Sequence, residues 1–133
     1  MIDIIPDWLD RQAALHPGKV ALVLPDSGER VTYRALVEGA ARVAGGLRAL
    51  GLGQGDRVAT LALNGLPQLE LLFACARLGA ILVPLNYRLA EGELRWIGSN
   101  AGPTLLCYER AFADQARGPV SYTHLTLPTI YSV

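Results

Sequence analysis

Lysine is almost missing from this chain. Of its 12 basic residues only Lys19 is a lysine, and 12 acidic residues balance them to a net charge of zero. Without an excess of positive charge there is no electrostatic footprint for nucleic acid, and no such partner is expected. Cysteine is scarce as well. Cys75 falls in a helical pattern and Cys107 in a strand pattern, both without metal-ligand spacing or partner histidines. They read as small buried hydrophobes rather than reactive or ligating thiols. Long hydrophobic runs are also lacking: "LELLFACARLGAILVPL" is interrupted by Glu70, Arg77, Gly79 and Pro84 and falls short of a spanning helix. The first ten residues, "MIDIIPDWLD", carry acids where a secretory leader carries Lys or Arg, so a cytoplasmic location is expected.

A phosphate-cradling loop is absent too, although "GLGQGDRVA" at 51–59 imitates one with Gly51, Gly53 and Gly55. A dinucleotide loop needs G-x-G-x-x-G after a strand and at the opening of a helix, where N–H groups face the phosphate. Here Asp56 stands in the pattern and the order is reversed, with a helical pattern before the glycines and the strand-like "RVATLAL" after them. The expected structure is a helix-to-strand turn that uses glycine at positive φ.

What the chain does hold is core-forming material: 133 residues, 51% hydrophobic, enough for one domain. "PDWLDRQAALH" reads as a short surface helix with Pro6 at its first position. "KVALVL" and "RVTY", separated by the turn residues of "PDSGE", read as a hairpin or two neighbouring strands. Leu36, Ala40, Val43, Leu47 and Leu50 recur at helical spacing, with Arg34, Glu38 and Arg42 laddered on the other side. "RVATLAL" is a continuous apolar strand of the kind buried on both faces of a parallel sheet. "NGLPQLELLFACARLG" is apolar almost all round and reads as a buried helix. "AILVPL", "EGELRWIGSNA" and "TLLCYE" follow as strand, short helix and strand. The fold class is therefore α/β, a mostly parallel sheet over 19–109 flanked by helices, including those near 33–50 and 66–78.

The tail breaks this pattern. After "AFADQARG", Ser, Thr and Tyr rise abruptly and neither period is sustained. "VSYTHLTLPT", residues 120–129, matches the in-frame translation of a transposon-based sequencing adapter. Residues 119–133 are accordingly expected to be foreign, with the native chain ending near Gly118.

Read as one piece, "GERVTYRALVEGAARVAGGLRALGLGQGDRVATLALNGLPQLELLFACARLGAILVPLNYRLAEGEL" resembles the start of the adenylate-forming superfamily, which includes acyl-CoA synthetases, luciferases and peptide-synthetase adenylation domains. "VTYRAL" is similar to its first core motif, usually T-Y-x-E-L, and "RLGAILVPLN" to its second. "GDRVA", Asn64 and the "EL" at 93–94 fall at the family's intervals, and the likeness spans roughly residues 5–109. Thr32 can cap the following helix, but Ala35 stands where an acid would complete a capping box, a loss of about 1 kcal/mol or less. In "PLNYRL", Asn86 and Arg88 favour the acid–CoA ligase branch over peptide synthetases, which usually read P-x-D.

The resemblance implies that residues 1–118 are an N-terminal scaffold of the adenylate-forming fold, incomplete and inactive alone. It further implies a parent enzyme that joins a carboxylic acid, with a fatty acid as first choice, to coenzyme A using Mg-ATP. The remainder of that parent is the expected partner. The family's Ser/Thr/Gly-rich loop ending in Lys, its later acidic residues and its C-terminal lysine have no counterpart here, so ATP, Mg and CoA are implied for the parent and no cofactor for this chain. No catalytic, cofactor-binding or metal residue is expected. Lys19 reads as a solvated strand-edge charge, His16 as a partner for a helix C-terminus, Asp56 as a turn acid, and Trp8 and Trp96 as amphipathic packing residues. The competing reading is a complete flavodoxin- or receiver-like module. It would place acids or a phosphate loop at the carboxyl ends of the strands, but these read "LPDSG", "LALNG", "VPLNY" and "CYERA".

Overall fold

A computed structural model describes residues 8–120, with side chains to Arg117; Pro6 and most of the expected foreign tail lie outside the described residues. The elements run α1 (Trp8–Leu15), β1 (Val20–Val23), β2 (Arg30–Thr32), α2 (Tyr33–Ala49), β3 (Arg57–Leu61), α3 (Leu66–Leu78), β4 (Ile81–Pro84), α4 (Glu91–Ala101), β5 (Leu105–Tyr108), a 3-10 turn (Arg110–Phe112) and α5 (Ala113–Val120). They gather into two compact units, one of the described residues up to Gly51 with Gly65–Leu78, the other of Leu52–Asn64 with the described residues from Gly79 onward.

In the first unit, β1 and β2 pair antiparallel, with Val20 opposite Thr32, Leu22 opposite Val31 and Val23 opposite Arg30. This pair is a sheet of its own, so the parallel sheet expected over 19–109 begins only at β3. The turn closes through Leu24 N–H to Glu29 C=O at 2.8 Å, with Gly28 at φ 72° where a side chain would strain the backbone. Leu9, Val31 and Leu36 are the buried centre, and Leu22, Leu66, Leu69 and Phe73 pack around them. Helix α2 buries Leu36, Ala40, Val43 and Leu47 at the expected spacing, while Arg34, Glu38 and Arg42 face solvent. Leu50 departs from the expected stripe and is 52% exposed, because it is the C-cap residue, past the last helical turn. Thr32 Oγ1 accepts the Ala35 N–H at 3.2 Å, the forward half of a capping box.

Helix α3 also departs from expectation. It buries Leu71, Ala74, Cys75 and Leu78 along one stripe, whereas Leu72 is 44% exposed and Ala76 and Arg77 face outward. Arg77 pairs with Asp10 of α1, which keeps that face polar.

The second unit is a parallel three-stranded sheet in the order β4-β3-β5. Val58 lies opposite Leu82 on one side and Leu105 on the other, and Thr60 opposite Pro84 and Cys107. Val58, Ala59, Thr60 and Leu61 are all buried, as a central strand covered on both faces requires. Ala59, Leu61, Leu85, Leu94, Leu106 and Ala116 make its core. Helix α4 carries the reverse half of a capping box: Glu93 Oε2 accepts the Ala90 N–H at 2.9 Å, and Gly102 ends the helix at φ 56°.

Candidate functional site

Two places invite a ligand by their backbone: the glycine turn before β3 and the carboxyl ends of the parallel strands. The glycine turn is closed to phosphate by its own hydrogen bonds. Gly51 N–H donates to Arg48 C=O at 2.9 Å, Gly53 N–H to Asp56 Oδ2 at 2.7 Å, and Gly55 N–H to Gly79 C=O at 2.9 Å. Every glycine N–H that could face an anion is thus engaged, and the carboxylate of Asp56 occupies the place an anion would take. Gly51 and Gly55 have φ of 89° and 83°, so glycine serves backbone geometry here. Asp56 is the turn acid its spacing indicated. Its C=O also accepts the Ile81 N–H at 2.8 Å, which joins the start of β3 to the start of β4.

The carboxyl ends of β3, β4 and β5 bring together residues that lie far apart in sequence. Glu109, directly after β5, is central: its Oε1 accepts the Leu63 N–H at 2.9 Å, and its own N–H donates to Leu61 C=O at 3.1 Å. Across the sheet, Leu85 N–H donates to Thr60 C=O at 2.8 Å and carries the chain from β4 into "NYRL". There Asn86 Oδ1 accepts the Arg88 N–H at 3.0 Å in an Asx turn. That turn presents Tyr87, whose ring stacks on Phe112 at 5.2 Å between centroids, with the Arg88 guanidinium 5.6 Å from the Tyr87 centroid. Gln115 of α5 donates to Tyr87 C=O at 3.2 Å. The result is a braced edge, with one exposed cation over an aromatic pair. Among the described residues, no cluster of three or more acidic, histidine or cysteine side chains of the receiver kind stands at this edge.

Glu109, Tyr87 and Phe112 are the residues that sequence reasoning missed. The available signal was weak: an acid directly after an apolar strand, in "LLCYE". Asn86 and Arg88, singled out for their family pattern, do stand at this edge. Lys19 is exposed just before β1, and His16 is exposed directly after α1, donating its N–H to Gln12 C=O at 2.8 Å. Trp8 and Trp96 are not packed as expected: they are 56% and 68% exposed. Trp8 opens its helix, and Trp96 is set off from the buried Leu94–Gly98 row of α4. Cys75 and Cys107 are buried, and burial pushes the Cys75 thiol up to about 11. Neither has the exposed, electropositive surroundings of a reactive cysteine.

Among the described residues, no group of three or more His, Cys, Asp or Glu side chains could hold a metal ion. No helix among the described residues is long and apolar enough to cross a membrane.

Comparison with known proteins agrees on one family. An indoleacetate–CoA ligase of Aromatoleum aromaticum is 40% identical over 111 residues, which is 84% of this chain and 21% of the relative. A long-chain-fatty-acid–CoA ligase of Thermus thermophilus is 42% identical over 105 residues, 77% of this chain and 19% of the relative. The chain therefore spans about a fifth of the length of these curated relatives. Among solved structures, the N-terminal domain of FACL13 from Mycobacterium tuberculosis superposes with a TM-score of 0.83 at 32% identity, over 92% of this chain and 32% of that one. O-succinylbenzoate coenzyme A synthetase of Bacillus subtilis, solved with AMP, gives 0.81 at 27% identity over 91% of this chain and 31% of its own. The fold is thus the N-terminal portion of the adenylate-forming fold. The AMP-binding enzyme family matches residues 9–130, nearly the whole of the 133, and the chain belongs to it.

Proposed function

We propose that this chain is the N-terminal scaffold of an ATP-dependent acid–CoA ligase. The parent would activate a carboxylic acid as its acyl-adenylate, release pyrophosphate and pass the acyl group to the thiol of coenzyme A. The observation that carries this reading is the family match together with relatives near 40% identity whose names are all of acid–CoA ligases or synthases. Asn86 and Arg88 after β4 support the ligase branch over a peptide-synthetase adenylation domain. The closed glycine turn supports the companion reading, that the described residues contribute support and no chemistry. ATP and its metal would then be held by the remainder of the parent, working in the cytoplasm.

A fatty acid is the substrate proposed first, in keeping with the Thermus relative. An aromatic acid is the second reading, because the indoleacetate ligase and a feruloyl-CoA synthase of Amycolatopsis are equally similar at 40%. The edge that carries Tyr87, Arg88 and Phe112 does not select between them.

The test has two arms. Titration of the 133-residue chain with Mg-ATP is expected to give no saturable heat. The gene product carrying the full downstream sequence is expected to exchange pyrophosphate into ATP with fatty acids and to form acyl-CoA. Exchange by the short chain would overturn the scaffold reading. A full product exchanging only with amino acids would overturn the ligase reading, and exchange only with aryl acids would replace the first substrate by the second.

A further inference from the structure

Asn64 is followed by Gly65, in the bend between β3 and α3. Three features of that bend set its chemistry. Asn64 is exposed, and among the described residues neither its carboxamide nor the Gly65 N–H is held in a hydrogen bond. A Cβ at Gly65 would find nothing closer than Pro67 Cδ at 3.7 Å, so no other residue crowds the side of Gly65 on which a side chain would stand. Gly65 C=O accepts the Leu69 N–H at 3.3 Å, which puts its nitrogen at the positive end of α3, where developing negative charge is favoured.

We propose that Asn64 is a site of spontaneous deamidation in the folded chain. The Gly65 nitrogen attacks Asn64 Cγ. The N–Cγ bond forms, the Cγ–Nδ2 bond breaks, and ammonia leaves with the proton that the Gly65 nitrogen gave up. The five-membered succinimide then adds water at one of its two carbonyls and opens to aspartate or isoaspartate. In net, one water is consumed and one ammonia released, with no change of oxidation state. Glycine permits the ring because it carries no Cβ and its backbone explores conformations closed to other residues.

The two other asparagines in the described residues supply an internal contrast. Asn86 has its Oδ1 engaged by the Arg88 N–H at 3.0 Å and is followed by Tyr87. Asn100 lies within α4, where helical hydrogen bonding opposes ring closure. The product also has a structural consequence. It places a carboxylate one residue from Leu63, whose N–H is held by Glu109 Oε1 at 2.9 Å. Isoaspartate further lengthens the main chain between β3 and α3 by a methylene.

Trypsin separates the three sites, because Arg57 and Arg77 bracket Asn64, Arg77 and Arg88 bracket Asn86, and Arg95 and Arg110 bracket Asn100. The intact chain is aged in mildly alkaline buffer, and each peptide is followed by mass spectrometry, with isoaspartate detected by enzymatic methylation of its free α-carboxylate. Asn64 is expected to convert about tenfold or more faster than Asn86 and Asn100, with isoaspartate among the products. Asn64→Gln and Gly65→Ala are each expected to abolish or strongly slow it; Gly65 has no positive φ, so alanine is tolerated there. An intact Asn64 in the aged folded chain, or conversion seen only after unfolding in urea, would overturn the proposal. So would an unchanged rate in Gly65→Ala.

Discussion

The crossing of α2 and α3 turns on one glycine, and replacing it gives a prediction whose sign can be reversed at will. An ideal Cβ on Gly39 would collide with the Glu70 carboxylate oxygen and lie 2.6 Å from its Cδ and 3.1 Å from its Cγ. Only the first of these is the tip of the side chain, so the whole Glu70 arm must swing to another rotamer. Alanine in a helix interior gains about 1 kcal/mol over glycine. Against this, moving Glu70 off its rotamer costs about 0.5–1.5 kcal/mol, and giving up its present contacts adds about 1 kcal/mol more. Gly39→Ala is therefore expected to destabilise by about 1 kcal/mol in the natural background. In a Glu70→Ala background the obstacle is gone, and the same change is expected to stabilise by about 0.5–1 kcal/mol. Urea unfolding of the four chains of the double-mutant cycle, at constant m-value, reads both numbers. The same sign in both backgrounds would refute the reasoning, because Glu70 would then not be what the new methyl meets.

Three further outcomes are expected. Asp56→Ala removes the acceptor of Gly53 N–H and should lower stability by about 1–2 kcal/mol; it should still confer no Mg-ATP binding, since the Gly51 and Gly55 N–H groups remain engaged, and saturable binding by calorimetry would contradict that account of the turn. The Cys75 thiol, raised from 9.0 to about 11 by burial, should resist alkylation until the chain unfolds. Because its folded value lies above its unfolded one, the unfolded state loses its proton first, so this contribution to stability is full below pH 9.0 and declines toward about pH 11; a pH-stability curve flat across that window in the natural chain, or steeper in Cys75→Ala, would contradict it. Removing residues 119–133 should leave the urea midpoint unchanged, and a loss above about 1 kcal/mol would mean that the segment packs as native structure.

Much of the fold was legible because periodicity reports burial directly. Leu36, Ala40, Val43 and Leu47 repeat at helical spacing and are buried together, and after the exposed Arg57 the strand residues Val58 to Leu61 are all buried, as a largely apolar run signals. Pattern failed where burial depends on context beyond the local period. The all-round apolarity of α3 did not reveal that Leu72 faces outward, and Leu50 kept the helical phase one residue after the helix had stopped. The glycine turn was readable as a turn, since its order relative to helix and strand is local information. The edge joined by Glu109 was not, because the bond from Leu63 to Glu109 spans 46 residues and no spacing rule announces it. Trp8 and Trp96 show the same limit: a large apolar ring marks the possibility of packing, and the neighbours decide it.

The order β4-β3-β5 has a consequence for how this sheet can be assembled as the chain emerges. Its central strand is made first, and both strands that flank it come later, β4 from residue 81 and β5 from residue 105. Until Ile81–Pro84 has been synthesised, Arg57–Leu61 has neither edge paired, although Val58 to Leu61 are the most thoroughly enclosed stretch of the sheet once it is finished. A nascent chain must therefore carry an unpartnered apolar strand through the synthesis of α3, the interval in which such edges associate with other chains. Any shortening of the gene that stops before residue 81 leaves that strand permanently alone, and one that stops between 85 and 104 leaves it paired on one side. The carboxyl boundary of a tractable piece of this chain is set by β5, and the acid after it, Glu109, ties the finished sheet back to the loop leaving its centre.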